Sequence, residues 1–275
     1  MKSLARALML AFACAAAVAA QRQPIDNAIR PFVKVDAPLV ALTHARVIDG
    51  TGAPALEDRT LLLSEGVITG LGGSAAVVIP PGATVIDLSG RTVMPGLVMV
   101  HEHLYYPTGP GVYGQLGESF VRLYLAGGVT TMRTGGNVNG VIMDFNLKRL
   151  IDAGRRAGPD IDVTAPYLNG PNNFTQMRTM EGPGDARRQV AYFADEGATS
   201  FKAYMNITRA ELGAAIEEAH TRGIKVTGHL CSVTYGEAAD LGIDNLEHGF
   251  LASTDFVADK QPDTCPPGRR TQESL

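Results

Sequence analysis

Met94-Pro95-Gly96-Leu97-Val98-Met99-Val100-His101-Glu102-His103 marks a change of rhythm in this chain. Before it, short β-type runs over residues 39–48, 60–63, 67–71 and 84–88 are broken by Asp49-Gly50, Glu65-Gly66, Gly72-Gly73 and Pro80-Pro81-Gly82. Turn signals at that spacing predict a small β domain over residues 37–93. After it, strand-like and helical runs alternate, the pattern of parallel βαβ units.

The second part divides as follows. Strands are expected over 93–103, 129–134, 161–168, 199–205, 224–230 and 243–248, with helices over 118–126, 141–153, 185–196, 208–222 and 234–241. Thr208 followed by Glu211 reads as a capping box opening the fourth helix, and Gly223 closes it. The expected fold class is therefore α/β: a partial (β/α)8 TIM-like barrel over 94–250, preceded by the small β domain. A closed barrel takes roughly 250 residues, whereas residues 94–275 number 182, so about six of the eight strands are expected. Residues 251–275 read as an irregular, truncated tail, rich in Pro, Gly and charge with no apolar period from Lys260 to Leu275.

Residues 1–20 read as a signal peptide: Lys2 and Arg6, an apolar run over 7–17, then Val18-Ala19-Ala20 as a small-residue cleavage site. Residues 21–36 read as a linker. The protein is expected to be exported, periplasmic or secreted, with no membrane span after cleavage. Cys231 and Cys265 would remain in the mature chain, and their pairing stays open. With 45% hydrophobic and 19% charged residues the chain can build a core. A net charge of −4 with scattered lysines and arginines argues against a nucleic-acid partner. A small-molecule substrate is expected, and a homo-oligomer stays open.

Four of the six histidines and one lysine fall at the expected C-terminal ends of strands, where barrel active sites are built. His101 and His103, two apart on one strand, project from the same face and could grip one metal ion. Alone, a His-x-His pair would read as a half-exposed strand edge, but His229 and His248 end two later strands. Lys202 lies in Thr199-Ser200-Phe201-Lys202-Ala203-Tyr204-Met205, where apolar neighbours would desolvate an ammonium and favour the neutral amine. The plainer alternative is a lysine that snorkels to solvent. Tyr105, Tyr167 and Asn169 follow strand ends and are candidate substrate contacts. Gly135-Gly136-Asn137 reads as a turn, and His44 and His220 as structural.

Met94-Pro95-Gly96-Leu97 running into His101-Glu102-His103, with Phe201-Lys202, Gly228-His229 and Glu247-His248-Gly249 downstream, resembles the amidohydrolase superfamily over residues 39–250. The spacing from His229 to Glu247-His248-Gly249 is most similar to the imidazolonepropionase-like and prolidase-like members. The resemblance implies two divalent ions, normally zinc, bridged by a carboxylated Lys202. His101 and His103 would hold the more buried ion, and His229 and His248 the more exposed one. It also implies a metal-bridging hydroxide that attacks an amide, lactam or dipeptide-like C–N bond. A deaminase, or a lactonase or phosphotriesterase of the same fold, is the alternative. Lys202, and Ser232 where a deaminase has an acid, argue against the deaminase.

Two positions depart from the family pattern. Met99 stands where an acidic residue is common two positions before the first histidine. The strand-eight aspartate that serves the family as general base has no counterpart, because Asp255, Asp259 and Asp263 follow the sixth strand too closely. No catalytic base is therefore identifiable, and the chain is expected to have lost much of its turnover, or to be an inactive fragment.

Overall fold

The computed structural model describes residues 25–138, 143–171 and 176–267. The expected signal peptide, residues 21–24 of the linker, the start of the helix expected at 141 and residues 268–275 of the tail lie outside the described residues.

Residues 39–93 form a five-stranded sheet. Strand β1 (Leu39–Val47) sits between β2 (Leu56–Ser64), antiparallel, and β4 (Thr84–Asp87), parallel, with β3 (Val67–Gly73) outside β2 and β5 (Thr92–Val93) pairing with β1. Ala41, Thr43, Ala45 and Val47 are buried at alternate positions of β1, so one face packs inward. Glu65 and Gly66, both with positive φ (49° and 79°), turn β2 into β3. Two residues of that conformation match the twist of the flanking strands.

Six parallel strands follow: β6 (Leu97–Glu102), β9 (Val129–Thr134), β10 (Asp160–Asp162), β11 (Ser200–Ala203), β12 (Lys225–Gly228) and β13 (Asn245–Leu246). They pair in the orders β10-β9-β6 and β11-β12-β13. The parallel bridges Thr164↔Ser200 and Leu168↔Ala203 join the two sets. Between them run α1 (Gly117–Ala126), α2 (Met143–Asp152), α3 (Pro183–Asp195), α4 (Arg209–Thr221) and α5 (Tyr235–Asp240). Strand β11 is buried along its whole length, as in a helix-covered parallel sheet, whereas β6 leaves Leu97, Val98 and Val100 exposed; Met132, Val163, Phe201 and Val226 are fully buried among helix residues such as Val190, Leu212 and Ala215. The chain is an α/β protein.

Several elements differ from expectation. The strand expected over 93–103 is two: Val93 pairs with Val47 in the first sheet, and Leu97 opens the second. Pro95 between them has no N–H to continue a ladder. An antiparallel hairpin, β7 (Tyr105–Gly109) and β8 (Val112–Gln115), precedes α1 where the sequence reading placed no element. The strands expected over 161–168, 224–230 and 243–248 keep ladder pairing only over Asp160–Asp162, Lys225–Gly228 and Asn245–Leu246.

Residues 253–267 carry no helix or strand, yet they are docked rather than loose. Asp263 accepts from Arg209 Nε and Nη2, both at 3.1 Å, and Asp255 accepts from the Tyr235 and Gly236 amides at the start of α5. Lys260 donates to the Ser232 carbonyl, and Cys231 is disulfide-bonded to Cys265 with Cα atoms 4.9 Å apart. This answers the pairing that the sequence left open.

Candidate functional site

Lys202 is the third residue of β11, between the fully buried Phe201 and Ala203, and only 1% of it is exposed. It does not snorkel to solvent. Its Nζ lies 3.1 Å from Nε2 of His101 on β6. His103 lies just past the end of β6, His229 just past β12 and His248 just past β13. Ring centroids separate His101 from His103 by 5.2 Å, His101 from His248 by 4.9 Å and His229 from His248 by 4.4 Å. The structure thus draws all four imidazoles and the lysine, from four strands, into one cluster. His248 reaches it from a left-handed backbone (φ 67°), followed by Gly249 at φ 56°. That turn bends the chain out of β13 and is an uncommon conformation for a residue with a Cβ.

A polar network backs the cluster. Glu247, 6% exposed, places Oε2 2.6 Å from His101 Nδ1, while its Oε1 accepts from Arg133 Nη2 at 2.8 Å and Thr227 Oγ1 at 2.9 Å. Arg133 Nε also donates to the Val100 carbonyl, one residue before His101. His101, Arg133 and Glu247 line a cavity of about 540 Å³ that extends to Asp162, to Lys225 at the start of β12 and to Asp244 just before β13. The sequence singled out neither Glu247 by itself nor Arg133. Glu247 adjoins His248 in the motif, but nothing local marks Arg133.

Electrostatics follow from this packing. Burial, reinforced by the charge of Lys202 and by His101, pushes His103 down from 6.5 to about 4, so its ring is neutral at pH 7. Burial also brings Lys202 down from 10.5 to about 8, opposed by the Glu247 carboxylate. Burial would raise Glu247, but hydrogen bonds from His101 and Arg133 together with the Lys202 charge hold it well below the usual carboxylate range. His248 is lowered by burial and by Lys202.

Gly135 and Gly136, read from sequence as a turn, are steric requirements of the site. A Cβ at 135 would lie 2.7 Å from His101 Cδ2 and 2.8 Å from His103 Cε1. One at 136, where φ is +92°, would lie 2.5 Å from the Tyr167 ring. Tyr105 and Tyr167 join hydroxyls at 2.7 Å, and Tyr105 lies 4.8 Å from His103 between ring centroids. Tyr204, not singled out by sequence, lies between Tyr167 and His229, tilted against the first with ring centroids 4.4 Å apart and edge-on to the second at 4.9 Å. Asn169 is fully buried, its side-chain oxygen accepting from the Asn206 amide and its nitrogen 3.6 Å from Met177 Sδ. That side chain ties the segment after Leu168 to the loop after β11. His44 and His220 lie apart from the cluster and pair with Asp58 and Asp244.

The donor chemistry fits divalent cations: imidazoles favoured in the neutral form, a buried amine, and the space kept open by Gly135. As placed, no group of three or more His, Cys, Asp or Glu among the described residues is already set to hold an ion. His101 Nε2 instead meets Lys202.

No family model matches the chain. An enamidase from Eubacterium barkeri is 35% identical over 85 residues, 31% of this chain and 22% of the relative. An imidazolonepropionase from Nocardia farcinica is 35% identical over 107 residues, 37% of this chain and 25% of the relative. A crystal structure of a candidate prolidase from Bifidobacterium longum superimposes with a TM-score of 0.62 at 26% identity, over 78% of this chain and 55% of that one. The matched region thus spans about a quarter or less of these curated relatives and about half of the solved structure.

Proposed function

Since this chain belongs to the amidohydrolase superfamily, we propose that it carries the metal-binding part of a hydrolase that cleaves the C–N bond of a small amide, lactam or dipeptide-like substrate. The observation that carries this reading is the convergence of His101, His103, Lys202, His229 and His248 on one point from β6, β11, β12 and β13. The names of the relatives support it, because enamidase, imidazolonepropionase and prolidase chemistry all break C–N bonds. On this reading the six parallel strands are part of a (β/α)8 TIM-like barrel, with residues 37–93 as its small β domain, and the site lies at the C-terminal strand ends.

His101 and His103 would hold one divalent ion, zinc by donor type, and His229 and His248 a second. Bound there, the ions would supply Lewis acidity to a water and to the substrate carbonyl. Lys202, with its amine brought down to about 8, is suited to add to CO2 with release of a proton, giving a carbamate anion between the two pairs of histidines. Tyr105 and Tyr167 would wall the substrate side. Residues 1–20 would direct export, and among the described residues no helix is long and apolar enough to cross a membrane.

The test is to load the full chain with zinc and incubate it with cyclic amides, dipeptides and lactones, following products by mass spectrometry. Chelator-sensitive hydrolysis of an amide supports the reading. Hydrolysis confined to lactones, or a chain that binds no zinc, overturns the reading.

A further inference from the structure

The contacts of Glu247 reach further than packing. Its two carboxylate oxygens face different partners. Oε1 takes hydrogen bonds from Arg133 and Thr227, and Oε2 faces His101 Nδ1 at 2.6 Å. A carboxylate can only accept, so the nitrogen beside it carries the proton, and in the neutral ring the lone pair is left on Nε2. That lone pair points at Lys202 Nζ. Arg133 ties the arrangement to the strand itself through the Val100 carbonyl. The Tyr235 hydroxyl, 2.6 Å from the Glu247 carbonyl, holds the backbone from the other side.

We infer that Glu247 is the positioning residue of this site: it fixes the His101 proton on Nδ1 and turns the Nε2 lone pair toward Lys202, with Arg133 holding the carboxylate in register. The tautomer follows from the hydrogen bonds alone. Its consequence for a bound ion rests on the proposed function.

Arg133 makes this sharply testable because a guanidinium can only donate. In Glu247→Gln, a side chain of the same shape, the amide oxygen must turn to Arg133 and Thr227, leaving the NH2 against His101 Nδ1. That nitrogen must then accept, so the proton moves to Nε2 and the lone pair leaves the Lys202 side. Glu247→Asp keeps the carboxylate and therefore the original tautomer. The experiment is 15N-detected NMR of the histidine rings in the metal-free full chain, paired with zinc titration. Expected are an Nδ1–H tautomer for His101 in the wild type and in Glu247→Asp, and an Nε2–H tautomer in Glu247→Gln. The zinc Kd of Glu247→Gln should be weaker by about 10- to 100-fold, the usual cost of losing a partner that orients a ligand. An Nε2–H tautomer in the wild type overturns the inference whether or not the variants fold. So does an unchanged tautomer and Kd in a folded Glu247→Gln protein. A wild-type chain that binds no zinc removes the proposed function, while the tautomer result still decides the role of Glu247.

Discussion

Lys202 Nζ and His101 Nε2 lie 3.1 Å apart although 101 residues separate them in the chain. They belong to β11 and β6, which stand apart in the parallel series with β9 and β10 between them. Their contact therefore requires the sheet to curve and both side chains to point to its inside. Glu247, next to β13, touches the same His101 ring, so the first and sixth parallel strands also meet through this residue.

Removing the amine should empty the site. Lys202→Ala is expected to lower the zinc content of the purified chain, measured by atomic emission, by one or both of the ions that the proposal assigns. Metal content equal to that of the wild type would remove Lys202 from the ligand set.

Gly135→Ala adds a single carbon and should act on two histidines together. The methyl would press on the His101 and His103 rings at 2.7 and 2.8 Å. The expected cost is about 1 to 3 kcal/mol of stability, typical of overpacking, together with loss of zinc affinity. Denaturant melts and zinc titration measure the two effects. A folded variant with unaltered affinity would show that the glycine is needed only for its turn.

Metal-free stability should fall in acid. The His103 ring takes its proton at about 4 when folded and at 6.5 when unfolded, so the unfolded chain binds more protons in that window and stability drops as pH falls from 6.5 to 4. The full effect of this group is of order 3 kcal/mol. Glu247, held below its ordinary value of 4.5, adds a loss as pH falls below that value. Lys202, at about 8 folded against 10.5 unfolded, should make stability rise with pH between those values. Thermal midpoints from pH 4 to 10 at constant ionic strength check all three signs. A profile that improves toward pH 4 would contradict the burial of these groups.

Reduction of Cys231–Cys265 should free the docked segment. The bond closes a loop of sequence separation 34, and opening it is expected to cost about 4 kcal/mol. Comparing denaturant midpoints with and without reductant reads this, with the Cys265→Ser variant as a control. Equal midpoints would show that Asp263, Asp255 and Lys260 hold the segment by themselves.

Much of the fold was legible because it is written in local periodicity. The strand expected over 129–134 is Val129–Thr134, and the Thr208–Glu211 capping box opens α4 as its spacing predicts. The hairpin of Tyr105–Gly109 and Val112–Gln115 was overlooked although Gly109-Pro110-Gly111 is a strong turn signal between β-forming residues. The paired histidines stand out through their spacing, and Lys202 through its apolar neighbours. Arg133 does not, because its partner Glu247 is 114 residues away and no repeat or spacing connects them. Gly135 looked like an ordinary turn because the space it preserves is defined by two rings on another strand. Asn169, expected just past a strand end, lies seven residues beyond β10, and its side-chain oxygen accepts from the Asn206 amide in the loop after β11.

Zinc K-edge X-ray absorption of the zinc-loaded full chain tests the central claim most directly. The account predicts that zinc is retained after dialysis, with nitrogen and oxygen neighbours at about 2.0 to 2.1 Å and the outer scattering of several imidazoles. Zinc lost on dialysis, or retained without imidazole scattering, would contradict the assignment of His101, His103, His229 and His248 as its ligands.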